Sequence, residues 1–460
     1  NALLTQEPAS AVDMYNVAIG YNAGYAIQTG IENVIIGGLA GDALTTANSN
    51  VIIGTYAAGA TTVGAENVVA GSYAMFTNVG GTASVAIGKN ALYYQNPGAS
   101  NTTMGNVAVG TGAGQDIANA KWNTAIGYQS QFNATTGEYN TSVGSLSMGV
   151  GITTGGNNVA LGHNAAAALT SGANNVMAGA YAGDGLNTGT NNVGIGYGAL
   201  GTEDTGGQNV AIGVNALTTL NYDGNGLNTA VGYAAGALMT TGVQNTIIGG
   251  LAGDALTEGG ENTALGYLAL SAETKGDRNV ALGAYALFTQ NNTTNADIYN
   301  TAVGYNAGFA MTTGVNNTIV GGLAGDALTT GGNNVAIGVS ALTTCQFGDR
   351  NIAIGGNALV AQVGADDSGD NVAVGYNSGA SMTTGTYNVL VGNYAGDGFT
   401  TGIRNVAIGS FSLSSADAGN HSVAVGYGAL NIQNGASAGT DFYNVGVGSN
   451  AGTQITTGTN

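Results

Sequence analysis

The chain has 460 residues, including 82 glycines and 2 prolines; 7% of its residues are charged, and its formal net charge is −19. The high glycine content without a Gly-X-Y period excludes collagen, and an apolar fraction of 44% argues against simple disorder. The 6 basic residues are too few for the clusters of Lys and Arg that bind nucleic acid or an anionic membrane surface.

The first predicted element, Asn16–Gly20, is one copy of a five-residue motif: Asn, a β-branched residue, a small residue, an aliphatic residue and Gly. The motif occurs 25 times up to Gly448, and 18 of the 24 intervals between motif glycines are 17 residues long. Representative copies have their Asn and Gly at Asn16 and Gly20, Asn33 and Gly37, Asn50 and Gly54, Asn209 and Gly213, Asn245 and Gly249, Asn317 and Gly321, and Asn405 and Gly409. Such a tandem repeat predicts a solenoid in which each repeat forms one coil.

Each position of the motif has a physical interpretation, and we number the positions of a coil from its Asn. The first position is Asn in 23 copies and Ser at Ser84 and Ser422, so the amides are predicted to hydrogen-bond along the stack as a ladder. The second and fourth positions are mostly β-branched or aliphatic and share one face of a strand, while the third is often Ala. Either face can line the interior, because a period of two does not distinguish them.

The remainder of the coil predicts a turn, a short second strand and a further turn. Ala or Ser at the eighth position indicates a tight interior, and Thr-Thr-Gly sequences such as Thr312–Gly314 indicate a turn. The chain is therefore predicted to be an all-β parallel β-solenoid, a β-roll of about 25 coils over residues 1–460 in one continuous array.

From Gly162 onward, a longer interval follows every fourth coil, which predicts super-repeats at about 162–231, 232–303, 304–374 and 375–447. The second coil of a super-repeat carries Ala-Gly-Asp, and the fourth carries an insertion before the next Asn. We expect these insertions, several of them acidic or aromatic, to form a row of protruding loops at one corner of the coil.

The two ends of the sequence fall within the repeat. Residues Asn1–Asn16 match Tyr285–Asn300 in length and pattern, and the chain closes at Asn460, at the point where the next coil would begin. Solenoids protect their end ladders with caps, and neither end resembles one. We therefore expect the chain to be a fragment of a longer repeat protein.

The motif Asn/Ser-Val-Ala-Ile-Gly followed by Ala or Ser resembles the YadA-like head repeats of trimeric autotransporter adhesins. Ser84–Gly88 and Ser422–Gly426 carry the resemblance most closely. Runs such as Asn300–Tyr305 are similar to repeats of phage tail fibres. The resemblance implies a left-handed β-roll in a parallel homotrimer, located outside the cell or on a virion, with a role in adhesion to a host-surface glycan or protein or in spacing a binding tip.

One recurring carboxylate is a candidate metal ligand, the Asp of the second coil. It occurs at Asp42, Asp184, Asp254, Asp326 and Asp397. Ca²⁺ takes six to eight oxygen ligands, which these residues could supply only by converging across a trimer. The favoured interpretation is a turn Asp that caps its own backbone, and no metal or cofactor is expected.

Other motifs favour ordinary structural roles. Gly196–Gly201 fits G-x-G-x-x-G but lacks the βαβ context of a nucleotide site, and His163 and His421 have no Cys or His at ligand spacing. Cys345 is the only cysteine, so an intrachain disulfide is impossible. A Tyr often follows the motif Gly, as at Tyr128; this series of residues can pack within an assembly or bind a ligand such as a sugar.

These observations together predict an extracellular structural or adhesive fibre segment, with other copies of the chain as partners. The alternative is a segment of a self-assembling filament or sheath that binds no receptor. We expect neither an enzyme, since no carboxylate cleft is visible outside the insertions, nor membrane insertion, since no apolar run reaches the roughly 18–20 residues of a span.

Overall fold

Every copy of the five-residue motif forms a short β-strand in the computed structural model, which describes residues 1–7, 12–363, 369–433 and 439–458. The described residues contain no helix, and the predicted all-β parallel solenoid with its 17-residue coil is confirmed. The chain divides into two compact units, Asn1–Leu227 and Asn228–Asn460, which are built from the same coil. Continuity of the array between the units stays a prediction of the sequence.

Three-residue strands occupy the second to fourth positions of the motif. The first unit contains β1 (Val17–Ile19), β2 (Val34–Ile36), β3 (Val51–Ile53), β4 (Val68–Ala70), β5 (Gly81–Thr82), β6 (Val85–Ile87), β7 (Thr102–Thr103), β8 (Val107–Val109), β9 (Thr124–Ile126), β10 (Thr141–Val143), β11 (Val159–Leu161), β12 (Val176–Ala178), β13 (Val193–Ile195) and β14 (Val210–Ile212). The second unit contains β15 (Thr229–Val231), β16 (Thr246–Ile248), β17 (Thr263–Leu265), β18 (Gly276–Asp277), β19 (Val280–Leu282), β20 (Ala296–Asp297), β21 (Thr301–Val303), β22 (Thr318–Val320), β23 (Val335–Ile337), β24 (Ile352–Ile354), β25 (Val372–Val374), β26 (Val389–Val391), β27 (Val406–Ile408), β28 (Val423–Val425) and β29 (Val445–Val447).

The motif strands pair in parallel and without a shift in register. In the first unit Val17 lies opposite Val34 and Ile19 opposite Ile36, and in the second unit Thr318 lies opposite Val335. Each residue therefore faces the same motif position in the next coil. Identical positions stack in columns, which is why one sequence motif can serve every coil.

The third position of the motif lines the interior, and the second and fourth face outward. In every three-residue strand after β1 the middle residue is buried, as in Ala86 and Ile319, while its two neighbours are half-buried or exposed. The interior is completed by the first, eighth and twelfth positions, for example Asn317, Ala324 and Leu328. Of the two assignments that the alternation leaves open, the structure has the Ala face inside and the Val/Ile face outside.

Volume is exchanged across this thin interior between the third and ninth positions. A Cβ atom on Gly325 would lie 3.3 Å from Cδ1 of Ile319, whereas the next coil pairs Ala336 with a buried Leu342. The combination of a large third residue with a ninth glycine recurs at Ile35 and Gly41, Met177 and Gly183, Ile247 and Gly253, and Leu390 and Gly396. The Ala-Gly-Asp sequence of the second coil is thus a packing feature, since its Gly makes room for the large strand residue.

The insertions do not leave the coil as free loops. Five of the six longer coils return to pair in parallel with the preceding coil shortly before the ladder position. The pairs are β5 with β7 and β18 with β20, and single bridges join Gly207 to Asn225, Asp349 to Gly369 and Asn420 to Asp441. In the insertion of residues 291–297, most side chains are nevertheless exposed. Asp366 and Asp367, two of the acidic residues that the sequence assigns to the insertions, lie outside the described residues.

We expect Ile319→Ala to lower the free energy of unfolding by about 2–4 kcal/mol, because it leaves a cavity in a close-packed interior. Adding Gly325→Leu should recover much of this loss, since the β14 coil already combines Ala211 with Leu217 and Leu220 in the buried core. Thermal and denaturant unfolding of the two variants provides the measurement. Gly325→Leu alone is the control, and it should lower the free energy of unfolding. If the double variant is no more stable than the sum of the two single effects predicts, the exchange of volume is contradicted.

Candidate functional site

The Asn at the first position joins the two ends of its own coil and the start of the next. The side-chain Nδ2 of Asn317 donates to the carbonyl oxygen of Gly331 in the turn that ends the coil, at 2.9 Å. Its Oδ1 accepts the backbone N–H of Asn334, the ladder residue of the next coil, at 3.0 Å. Both ladder residues are fully buried. The ladder therefore consists mainly of amide-to-backbone bonds, supported by weaker amide-to-amide contacts such as Asn334 Nδ2 to Asn317 Oδ1 at 3.1 Å.

A buried Gln at the twelfth position completes the ladder in four of the coils that carry an insertion, and it was not singled out from the sequence. Gln95 donates to Ser84 Oγ at 3.2 Å and accepts from Asn106 Nδ2 at 2.8 Å. Gln433 makes the equivalent bonds to Ser422 and Asn444. The two Ser residues of the ladder thus lie in coils with insertions, where a Gln side chain links the short Ser hydroxyl to the Asn of the next coil. The signal was present, since Gln at this position coincides with the long intervals at Gln95, Gln290, Gln362 and Gln433.

The motif Gly is required by the close approach of successive coils. Gly20 has a φ of +134°, and a Cβ atom there would lie 2.5 Å from the carbonyl oxygen of Gly37. The same contact recurs from coil to coil, as between Gly321 and Gly338 at 2.5 Å. Any side chain would force the coils apart, which accounts for Gly in all 25 copies.

The Asp residues of the second coil lie at the tenth position, half-buried and turned onto their own backbone. The N–H groups of Asp326 and Ala327 donate to the Asp326 carboxylate, but burial outweighs them and raises its pKa above the ordinary value. Asp254 accepts a bond from Ser271 in the next coil. Within the described ranges, no three His, Cys, Asp or Glu side chains gather in a way that could hold a metal ion. The structure does not bring the five Asp candidates together, since four or more coils separate successive members within each unit.

Two buried glutamates at the twelfth position were not singled out from the sequence. Glu273 Oε1 accepts the N–H of Gly276 at 2.8 Å, and its Oε2 accepts the side-chain amides of Gln290 and Asn292, each at 2.8 Å. Glu203 Oε1 accepts the N–H of Gly206, but its buried Oε2 has no partner among the described residues. Burial raises the pKa of Glu203 to about 7. The only indication in the sequence was an acidic residue in a column otherwise rich in Leu, Ile and Met.

The remaining sequence candidates occupy turns or the interior. His163 packs edge-on against Tyr181, and His421 Nδ1 lies 3.1 Å from an Asp441 carboxylate oxygen. Gly196–Gly201 begins with the motif Gly that follows β13. Cys345 is buried, which raises the pKa of its thiol to about 11 and keeps it protonated near neutral pH.

The outward second and fourth positions form an apolar stripe along each unit. The exposed fraction is 46% at Leu265 and 36% at Ile337. The Tyr residues that follow the motif Gly are also exposed; they are Tyr21, Tyr128, Tyr197, Tyr233, Tyr267, Tyr305, Tyr376 and Tyr427. Large contiguous apolar surfaces of this kind mark interaction sites in soluble proteins.

Aromatic side chains from neighbouring coils also form local clusters. In the first unit Tyr56 stacks on Tyr73 with ring centroids 5.0 Å apart, and Phe76 stacks on Tyr93 at 5.3 Å. In the second unit Phe288 stacks on Phe309 at 5.2 Å, with Tyr285 packed edge-on against Phe288. The clusters cover the seventh to eleventh positions of their coils, beyond the strand that carries the apolar stripe.

Fold and site together define a tandem-repeat β-solenoid with an exposed apolar face. No protein-family model and no curated protein matches the chain. In the residues that the structure describes, no helix has the length and apolar character needed to cross a membrane.

Removing one ladder amide should lower the free energy of unfolding. Asn317→Ala leaves the N–H of Asn334 and the carbonyl of Gly331 without their partner, and each such loss costs about 1–3 kcal/mol. We expect unfolding at a clearly lower temperature or denaturant concentration. The neighbouring exposed Asn316 has a positive φ, so Asn316→Gly is the matched control and should change stability little. Equal effects of the two substitutions would contradict the assigned role.

Stability should also depend on pH through Glu203. Because its folded pKa of about 7 lies above the ordinary 4.5, the unfolded chain loses this proton first, and the free energy of unfolding falls as pH rises from about 4.5 to 7. At ~1.4 kcal/mol for each pKa unit, this carboxyl contributes a fall of roughly 3 kcal/mol. Unfolding of wild type and Glu203→Gln across this range should show a difference in stability that grows with pH. A constant difference would count against the assignment.

Proposed function

We propose that the chain is a segment of an extracellular structural and adhesive fibre, in which copies associate side by side along the Val/Ile face as a parallel homotrimer. The observation that carries the proposal is which face of the motif strand is exposed to water. Its small residues face inward and its larger aliphatic residues face water, as in β6, where Ala86 is buried and Ile87 is 40% exposed. Burial of that stripe would contribute roughly 25 cal/mol for each Å² of apolar surface.

The spacing of the stripe favours a second copy of the chain as its occupant. The apolar residues recur once in every coil, at the strand spacing of about 4.8 Å. A partner that covers many coils must repeat at the same distance, and an identical solenoid running in the same direction does so. The number three comes from the resemblance to YadA-like head repeats, which implies a parallel homotrimer with one such face of each chain turned toward a common axis.

The extracellular location and the adhesive role have support from the resemblance to YadA-like head repeats and phage tail fibres. The low content of charged residues and the repetitive surface suit a shaft or head whose function is to span distance and present ligand sites. A filament or sheath segment without receptor binding is the second candidate, and the mass of the particle distinguishes the two.

The proposal predicts a particle of three chains, three times the 44.9 kDa of one chain, by sedimentation or light scattering at micromolar concentration. Two lysines on the stripe, Leu265→Lys with Ile337→Lys, should reduce it to single chains, because desolvating a charge in an apolar contact is costly. Leu238→Lys is the matched control, since Leu238 is 54% exposed at the eleventh position, away from the stripe, and should leave the mass unchanged.

A wild-type particle of one chain, or open-ended assembly without a defined mass, would contradict the homotrimer and favour the filament. Dissociation by Leu238→Lys with no effect of the stripe variants would place the contact on a different face.

A further inference from the structure

A surface groove of about 310 Å³ lies beside the aromatic cluster of the first unit. It is lined by Tyr73, Lys89, Asn90, Tyr93, Tyr94 and Gln115. These residues come from three consecutive coils, those of β4, β6 and β8, and from the sixth to eleventh positions. The groove therefore does not draw on the second and fourth positions that form the apolar stripe.

The aromatic wall of the groove is held rigidly from behind. Tyr73 stacks on Tyr56 and packs edge-on against Phe76, and Phe76 in turn stacks on Tyr93. Tyr94 packs edge-on against Tyr93 at a centroid distance of 4.5 Å, yet remains 50% exposed. A rigid aromatic side chain that faces water is a low-entropy binding surface, and its ring suits the apolar face of a flat, hydroxyl-rich molecule.

Polar groups surround this ring. Asn90 provides an amide with donors and an acceptor, and Lys89 provides an exposed ammonium group. Gln115 provides a second side-chain amide in the lining of the groove. A ring surface with convergent amides and one cation is the arrangement expected for a saccharide site.

The charge of the groove selects among saccharides. The chain has only 6 basic residues against 25 acidic ones. Four of the six have a partner in the structure: Lys275 with Glu258, Arg278 with Glu261, Arg350 with Asp370, and Arg404 over the ring of Tyr387. Lys89 makes no ion pair with a carboxylate in the described part of the chain. An ammonium group without a carboxylate partner, in so acidic a protein, favours an anionic ligand.

The second unit provides an internal comparison. The coil of β19 has the same sequence pattern as the coil of β6, and its Phe288 lies at the position of Tyr93. Phe288 stacks on Phe309 of the following coil, whereas Tyr93 stacks on Phe76 of the preceding coil. At the positions of Lys89, Asn90 and Tyr94 the β19 coil has Ala284, Tyr285 and Thr289. Aromatic stacking between coils is therefore part of the packing of the solenoid, whereas Lys at the sixth position and Tyr at the eleventh occur only in the β6 coil.

We infer that this groove binds a saccharide that carries a carboxylate, with the sugar ring on Tyr94, the carboxylate at Lys89 and hydroxyl groups at Asn90 and Gln115. The inference rests on the adhesive part of the proposed function and names its ligand class. It concerns one site in the first unit and is independent of the number of chains in the particle.

The test is titration of the full chain with hexagalacturonate and with 3′-sialyllactose, measured by ligand-observed NMR and calorimetry. The methyl ester of hexagalacturonate and lactose are the uncharged counterparts. We expect saturable binding of at least one carboxylated probe, and binding of its uncharged counterpart that is weaker by about tenfold or more. No binding of either carboxylated probe at about 10 mM, or equal binding of the charged and uncharged forms, would overturn the inference.

Variants locate the site. Lys89→Gln should abolish the preference for the charged probe, and Tyr94→Ala should abolish binding of both forms, while Tyr94→Phe retains it. Lys121→Gln and Tyr128→Ala change the same residue types outside the groove and should bind as wild type does. Binding unaffected by Lys89→Gln and Tyr94→Ala would also overturn the inference. If the probes fail on a particle of three chains, the fibre proposal stands; a single-chain mass with saccharide binding contradicts the homotrimer alone.

Discussion

The buried amide of the first-position Asn is the contact on which the rest of the structure depends. A coil of 17 residues pays roughly 17–34 kcal/mol of backbone entropy on ordering, far more than its few buried side chains return. It persists because its neighbours supply hydrogen-bond partners: Asn317 holds the turn at Gly331 and the backbone of Asn334 at once. Stability is therefore shared between adjacent coils, and the closest contact, between motif glycines, follows from the same stacking.

The thin interior explains the unusual surface. Where the inward-facing strand residue is a small one, such as Ala86 or Ala336, the interior is filled from the opposite side by Leu92 or Leu342. The aliphatic residues of the second and fourth positions therefore lie on the outer face of the strand. An exposed apolar stripe is a liability for a single chain and a contact surface for several. Association and coil packing are thus two consequences of one alternation along the strand.

Coils differ in their local chemistry where the sequence departs from the regular repeat. In the coils with insertions, a Gln contributes to the ladder from the twelfth position. Gln290, for example, accepts a hydrogen bond from the side-chain amide of Asn300, the next ladder residue. Glu203 replaces an apolar residue in the interior, which couples the stability of one coil to pH. Lys89 and Tyr94 turn a packing cluster into a polar groove. In each case the frame holds the backbone in place, so that a few side chains can alter local chemistry without changing the fold.

The sequence by itself determined the coil length, the 25 motif strands, the parallel stacking and the sites of insertion, because each follows from a period that is visible along the chain. Tertiary structure alone decided which face of the strand lines the interior. A period of two does not distinguish the two faces, and only the folded chain shows that Leu342 or Gly325 packs against the third position. It also decided where the insertions pair and which groups lie around Lys89. The insertion pairings join residues 18 to 21 positions apart, and the groove draws on three coils, so both depend on how the coils stack and on side-chain direction, which the repeat does not encode.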